Sequence, residues 1–528
     1  MYAFNVTNSW DGQVRLAEVV AALSLGIDLG FGQPMEHVLR QCLIALRLAE
    51  SLGLDEQTRV AVYYTALLVN IGCHTDAHEQ AKWFGDDIAL KADKYVSGLR
   101  GLRSAVSGLK MLGSGHPVLH RFRLGLEFAV SGHKDLDKMV EHHSKMARSL
   151  GEQLGLSKAA LDGLDASYEQ WDGKGWPGER AGEEVPIAAR LAVIGEFTEV
   201  AHRMGGVEAA RELVRKQSGK QFDPTLAAAF LTNAEILLAD LDSAEAWGAV
   251  IDAEPALSVV LTEERFDDVL LAIADFIDLK SPYTLGHARA VADLAAEAGA
   301  QLGLPDAEIR TLRRAGLVHD FGRLGVSNSI WDKPGPLGGG EMERVRMSPY
   351  VTERILRQSP ALAPLGAIAV QHRERLDGSG YPRGLSGADI SQPARIIGAA
   401  DAYQAMREPR PYRESRSPEE AAAELRAGVK AGRFDGDAVE AVLGAAGHRI
   451  PRRREGPAGL TSREMDVLRH LSRGLTNKDI AACLYISPKT VSNHVEHIYM
   501  KIGASNRAAA ALFATRNGLL TGEEPVRV

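Results

Sequence analysis

The chain repeats itself. Laid on itself with an offset of 250, His37 falls on His287, Leu52-Gly53-Leu54 on Leu302-Gly303-Leu304, and Val69-Asn70 on His319-Asp320. With an offset of 205, 172-DGKGWPGERAGEEVPIAARL-191 falls on 377-DGSGYPRGLSGADISQPARI-396. Asp172, Gly175, Pro177, Gly182 and Arg190 then match identically, and Glu196 falls on Asp401. Each block aligns without gaps, so the first copy carries 45 more residues between its two matched blocks. Solenoid repeats run at roughly 20–50 residues, and this period is far longer. The chain therefore holds two copies of one domain.

The copies are helical. Stretches such as 36-EHVLRQCLIALRLAESLG-53 place apolar residues at three- and four-residue spacing, and runs of alternating β-branched residues are scarce. The repeat places copy one at 1–255 and copy two at 260–448, followed by a basic linker at 449–459 and a last domain at 460–522. The linker, 449-RIPRRREGPAG-459, has two prolines, two glycines and no apolar period. No run of 18 apolar residues occurs, and the N-terminus lacks a basic region followed by an apolar core. Three separated cysteines, Cys42, Cys73 and Cys483, read as thiols of a reducing compartment. A cytoplasmic protein with no membrane partner is expected.

The net charge of −8 conceals an asymmetry. Arg449–Leu520 has twelve Lys/Arg against five Asp/Glu, whereas residues 1–448 have forty-eight against sixty-two. A basic tail on an acidic body suits contact with nucleic acid. Four short helices are legible in the tail. Thr461 with Glu464, and Thr476 with Asp479, form capping-box patterns. Ser487 precedes Pro488 as the cap of a third helix, whose Val491, Val495, Ile498 and Ile502 share one face. A fourth helix follows Ser505 and ends near Gly518. The outer face of the third helix presents Lys489, Thr490, Ser492, Asn493 and Glu496, residue types that read base edges and phosphates from the major groove. Arg473, Lys478 and Lys501 are placed to hold the DNA backbone.

Segments 460-LTSREMDVLRHLSRGLTNKDIA-481 and 486-ISPKTVSNHVEHIYMKIGASNR-507 closely resemble the LuxR/FixJ-type DNA-binding domain. The resemblance implies a four-helix fold, recognition by Pro488–Ile502, and homodimerisation through the helix after Ser505.

Copy two carries His287, His319-Asp320, His372, 377-DGSGYP-382 and Asp401. Imidazoles and carboxylates from separate helices can enclose one divalent transition metal, with iron or manganese the expected ions. Such an ion can activate a water against a phosphodiester. With 333-KPGPL-337, 374-ERLDGSGYPRG-384 and 410-RPYRE-414, the set resembles the HD-GYP family of metal-dependent phosphohydrolases, many of which cleave cyclic di-GMP. The resemblance implies metal ligation by His287, His319, Asp320 and Asp401, with His372 beside them and Asp320 bridging to a second metal. It also places catalytic roles on Asp320 and Arg323, and nucleotide contacts on Arg323, Arg373, Gly380, Tyr381 and Pro382. Three positions depart from the family: Arg323 stands for Lys, Ser348 for a metal-binding His, and Arg373 for the second of two His. One metal is expected here, without a full binuclear centre. The two arginines are planar phosphate donors, suited to a nucleotide that the site no longer cuts.

Copy one keeps His37 but has Val69-Asn70, Ser167-Tyr168, Trp176 and Glu196 at the corresponding positions. It is expected to hold no metal of this type and to serve ligand sensing or dimer contact. Its segment 73-CHTDAHE-79 crowds Cys73, His74, Asp76, His78 and Glu79, which reads either as a metal site or as a polar loop. His142 and His143 sit on an amphipathic helix and are expected to be structural. The fold class is thus mainly α: two HD-type helical bundles, the first degenerate, then a four-helix helix-turn-helix domain. The leading expectation is a transcription regulator that senses a nucleotide or cyclic dinucleotide and binds promoter DNA. The alternative is an active phosphohydrolase coupled to a DNA-binding domain.

Overall fold

The computed structural model describes residues 14–97, 108, 110–114, 118–128, 133–241, 245–255, 259–448, 457–504, 506–517 and 519. Most of the basic linker expected at 449–459, together with Ser505 and Gly518, lies outside them. The described residues are helical almost throughout. The paired strands among them are Val14–Arg15 and Val260–Leu261, antiparallel with Val14 opposite Leu261. No helix among the described residues is long and apolar enough to cross a membrane.

Two compact units divide the chain. One takes Met1–Asp293, Arg310–Val370 and Gln404–Ser417. At its heart is Leu16–Gly30, a mostly apolar helix with buried residues from Leu16 to Gly30 all round its circumference, Ser24 and Asp28 among them. It packs on the first copy's helices His37–Ser51 and Glu56–Leu68, and on the turn Phe321–Gly325 of the second copy. A Cβ on Gly26 would lie 2.8 Å from Leu324, so this helix needs its small residue there. The long helix Ile187–Gln217 closes the first copy against His37–Ser51. Gly195 allows that contact, since a Cβ there would lie 2.5 Å from the Gln41 carbonyl oxygen.

The repeat is visible in the same close approaches. A Cβ on Gly72 would lie 2.0 Å from the His143 carbonyl oxygen, and one on Gly322 would lie 1.9 Å from that of Ser348. Gly175 stands 2.4 Å from Glu169 Cα on the same construction, and Gly380 stands 2.4 Å from Glu374 Cα. Each pair is related by the sequence offsets, so both copies fold their site-bearing turns alike.

The other unit takes Leu294–Ile309, Gln371–Tyr403 and Pro418–Val528. It includes the four C-terminal helices Ser462–Ser472, Asn477–Leu484, Pro488–Ile502 and Arg507–Arg516. Both capping boxes form as expected: Thr461 with Glu464, and Thr476 with Asp479. Ser487 Oγ accepts the Thr490 N–H at 3.0 Å and caps the third helix. Asn506 caps the fourth, accepting the Ala509 N–H at 2.9 Å. Leu468, Leu471, Ile480, Val491 and Ile498 are core residues, with Leu460, Val467, Ala481, Ala510 and Ala514 completing the core; Met465, Val495 and Ile502 are only partly covered.

Candidate metal centre and DNA-binding surface

His287 opens the helix His287–Gln301 and is buried. Its Nδ1 lies 3.0 Å from the Glu408 carboxylate, which also accepts bonds from Gln404 and Arg410, each at 2.8 Å. Burial alone would raise the Glu408 carboxyl, but His287 and Arg410 hold it below the usual range. His319 follows the helix Asp306–Val318 and is fully buried. Its Nδ1 donates to the Gly316 carbonyl at 2.6 Å, which fixes the tautomer and leaves Nε2 as the ligand nitrogen. That nitrogen is 3.9 Å from Asp320 Oδ2.

The expected donors fall in both compact units. In the first unit the His287 and His319 rings lie 5.6 Å apart, with Asp320 beside His319; in the other unit His372 and Asp401 are both buried. Two imidazoles with buried carboxylates fit a divalent transition ion.

Both arginines make contacts with expected donor residues. Arg323 is buried, with its guanidinium 4.3 Å over the Trp331 ring and 3.4 Å from Asp320 Oδ2. Arg373 Nε donates to His372 Nε2 at 3.1 Å, and its other nitrogens lie 3.3 Å and 3.1 Å from the two Asp401 oxygens. The residue that replaces the family's second His therefore engages two members of the donor set. Gly380, Tyr381 and Pro382 lie in a loop organised by Glu374, whose carboxylate accepts the Arg383 and Leu385 N–H groups at 2.7 Å and 2.9 Å. Tyr381 N–H bonds the Arg373 carbonyl at 3.2 Å. Gly380 is needed for backbone clearance, a role that spacing alone did not show. Ser348 turns its hydroxyl to the Val345 carbonyl at 2.8 Å, so it contributes helix bonding in place of an imidazole.

In the first copy an ammonium group takes the central place. Lys94, on the helix Asp87–Ser97 within the additional segment, bonds Asn70 Oδ1 at 2.7 Å and Glu196 Oε1 at 2.5 Å. Asn70 Nδ2 and Tyr95 OH also donate to Glu196, at 2.7 Å and 2.9 Å. His37 pairs with Glu199 and lies 3.3 Å from Tyr95 OH. Burial raises the Glu196 carboxyl, but Lys94 outweighs it and holds the group below its ordinary value. Lys94 was not singled out by sequence, because it lies in the segment with no counterpart in copy two. The 73–79 segment does not gather into one metal cluster. His74 packs on Phe276, His78 pairs with Asp332 at 2.8 Å, and Cys73 and Asp76 both turn to His143. The two adjacent histidines part company: His142 is exposed and His143 is buried.

On the C-terminal domain Lys478, Lys489, Asn493, Glu496 and Lys501 are exposed, and Thr490 and Ser492 are half-buried. Ser492 Oγ accepts from Asn477 and donates to the Pro488 carbonyl. Lys501 is bonded to Glu464 at 2.8 Å and to the Gly459 carbonyl at 3.2 Å, which ties it to the first helix's cap. Lys489, by contrast, projects from the first turn of the third helix.

Residues 272–438 match the HD domain family model, and residues 458–514 match that of bacterial regulatory proteins of the luxR family. The 3′3′-cGAMP-specific phosphodiesterase 3 of Vibrio cholerae serotype O1 is 32% identical over 403 residues, covering 75% of this chain and 87% of that protein. The chain belongs to the HD-GYP family. Another HD-GYP relative, the cyclic di-GMP phosphodiesterase response regulator RpfG of Xanthomonas campestris, is 36% identical over 184 residues. That match spans 34% of this chain and 48% of the relative. Among solved structures, a cyclic GMP-AMP specific phosphodiesterase of V. cholerae (V-cGAP3) aligns with a TM-score of 0.58 and 26% identity. The alignment covers 83% of this chain and 99% of that one. This HD-GYP chain thus joins an HD domain to a C-terminal LuxR-type helix-turn-helix domain.

Proposed function

We propose that the protein is a DNA-binding transcription regulator whose second HD-type copy binds a cyclic dinucleotide with little or no turnover. The observation that carries this reading is Arg373, bonded to both His372 Nε2 and the Asp401 carboxylate. A guanidinium cannot ligate a cation, and it competes for the carboxylate that a metal would use. Ser348 removes a further imidazole. A single ion, iron or manganese, would be held by His287, His319, Asp320 and Asp401, and when bound would supply Lewis-acid charge beside a phosphate. Asp320 would orient that phosphate's surroundings as a ligand, and the part-exposed Arg373 would grip the phosphate itself. Arg323, lying under Trp331, would hold Asp320 in place.

The helix Pro488–Ile502 would enter the major groove of promoter DNA, with Lys489, Thr490, Ser492, Asn493 and Glu496 at the bases and phosphates. Lys478 and Lys501 would flank it, and Arg507–Arg516 would form the homodimer contact. The protein would act in the cytoplasm. Calorimetry of the full chain with cyclic di-GMP and 3′3′-cGAMP, with chromatography of the products and elemental analysis, tests the proposal. Binding, about one ion per chain and negligible product are expected. Two tightly bound ions with steady turnover would sink it.

A second reading, an active cyclic-dinucleotide phosphodiesterase joined to a DNA-binding domain, is favoured by the buried imidazole pair His287 and His319, whose rings lie 5.6 Å apart. It is favoured also by the similarity over 403 residues to a protein named as such an enzyme. The same chromatography separates the two.

A further inference from the structure

The first copy contains a Cys–His–Asp relay that the proposed function does not use. Cys73 lies in the tight turn Ile71–His74, and His143 in the helix His133–Gln153. The two elements touch backbone to backbone at Gly72, where no larger residue fits against the His143 carbonyl. That contact sets the sulfur 3.4 Å from His143 Nδ1. On the ring's far side, Nε2 lies 2.7 Å from Asp76 Oδ2. Tyr168 OH lies 2.8 Å from the sulfur and is placed to donate to it. The sulfur thus faces two hydrogen-bond donors, with a carboxylate behind one of them to stabilise an imidazolium. This is the order in which nucleophile, base and orienting acid are arranged in thiol chemistry.

The second copy has no equivalent. By the repeat offsets, Cys73 stands at the position of Arg323, His143 at Ser348 and Tyr168 at Arg373. The other cysteines differ too. Cys42 is fully buried, its Sγ 3.6 Å from the Tyr63 carbonyl, and burial pushes its thiol upward. Cys483 is exposed.

We infer that Cys73 rests as a thiolate paired with the His143 imidazolium and is a modification site for small hydroperoxides. Burial opposes ionisation of the thiol, but the charge of His143, with Lys94 and the Tyr168 hydroxyl, outweighs it and lowers the group. Burial likewise opposes charge on His143, yet Cys73 and Asp76 raise it to about 9. His74, the adjacent imidazole, is driven down to about 3 by burial and by Lys280 and Lys91, and stays neutral. Cys73 is 8% exposed, which admits a two-oxygen oxidant more readily than a bulky electrophile. In the reaction the thiolate attacks one peroxide oxygen, an S–O bond forms and the O–O bond breaks. The leaving hydroxide takes the His143 proton and departs as water. Sulfur is oxidised by two electrons to a sulfenic acid, the peroxide is reduced, and a low-molecular-weight thiol restores the starting state.

The test uses the full chain. Thiolate ultraviolet absorbance is followed against pH for the native protein, Cys73→Ser, His143→Gln and Tyr168→Phe. The native-minus-Cys73→Ser difference should show ionisation well below the ordinary thiol value of about 8.5. His143→Gln should move that step back towards it, and Tyr168→Phe should move it less. After hydrogen peroxide at neutral pH, peptide mass analysis should place the added oxygen on Cys73 at least about tenfold faster than on Cys42 or Cys483. An ordinary ionisation step in the native protein, or first oxidation at Cys483, would overturn the inference. Peptide mapping needs only the native chain, so it decides the matter even where a variant fails to fold.

Discussion

The two copies answer one problem in two ways. Each buries carboxylates near an imidazole at the end of its second matched block. In the first copy the buried Glu196 is met by Lys94, an ammonium fixed to the chain. In the second, Asp320 is met by Arg323 and Asp401 by Arg373, which also bonds the His372 imidazole. Buried charge must be paired, and what pairs it decides whether an exchangeable cation has a place. A tethered ammonium takes that place in copy one. Copy two keeps ligand nitrogens and so keeps the chemistry of a cation site.

Breaking the first arrangement should have the largest effect. Lys94→Met leaves Glu196 buried with only neutral donors and should cost about 3–5 kcal/mol in denaturant unfolding. Glu196→Gln in the same chain should recover most of it, because the orphaned charge goes with it. The sign with pH is also defined. Glu196 is depressed in the native fold, so its contribution is present above its ordinary 4.5 and is lost as pH falls through its lower native value. Lys94→Met should reverse that slope. An unfolding curve unchanged in midpoint and pH dependence would show that the ammonium is not the counterpart of a bound cation.

The second copy is tested by metal affinity. Asp320→Ala should weaken binding of Mn(II) at least about 100-fold, more than loss of a residue that merely supports a ligand. Arg373→Ala should act in the opposite direction and tighten binding about tenfold, since it frees Asp401 and His372 from a competing, part-exposed guanidinium. Competition titration with a metal-sensitive dye measures both. If Arg373→Ala weakens binding instead, the guanidinium supports the donor set and the contrast between the copies loses its second half.

Much of this was legible because its causes are local. Capping residues and helical period located the four C-terminal helices. The offset of 205 pairs Gly175 with Gly380, which share the same close approach. What sequence did not show depends on contacts between distant segments. Lys94 reaches Glu196 across about a hundred positions from an added segment with no internal template. His143, read as structural because its helix is amphipathic, meets Cys73 only through the contact at Gly72. Arg373 was read as a phosphate donor from its chemistry, and its bonds to Asp401 and His372 depend on side-chain direction. Lys501, expected at the DNA backbone, is exposed and also bonds Glu464, a contact between helices that charge alone does not show.

The smallest expected effect tests a feature that the copies share. Asp28 accepts the Val38 N–H at 3.0 Å and Asp278 accepts the Ala288 N–H at 2.9 Å, one offset apart, each next to the copy's first histidine. Burial raises both carboxyls: Asp28 well above its ordinary range, Asp278 to about 7. A raised native value means that the fold binds the proton more tightly than the unfolded chain. Stability from this source is therefore greatest in acid and falls as pH rises past the ordinary value of 3.8. Asn can accept the same N–H. Asp28 Oδ2 has no hydrogen-bond partner among the described residues, so the amide replaces one unsatisfied group with another. Asp28→Asn should change stability by less than about 1 kcal/mol near pH 4 and become relatively more stable with rising pH. Parallel unfolding curves for the two proteins from acid to neutral pH would mean that Asp28 is ionised in the fold.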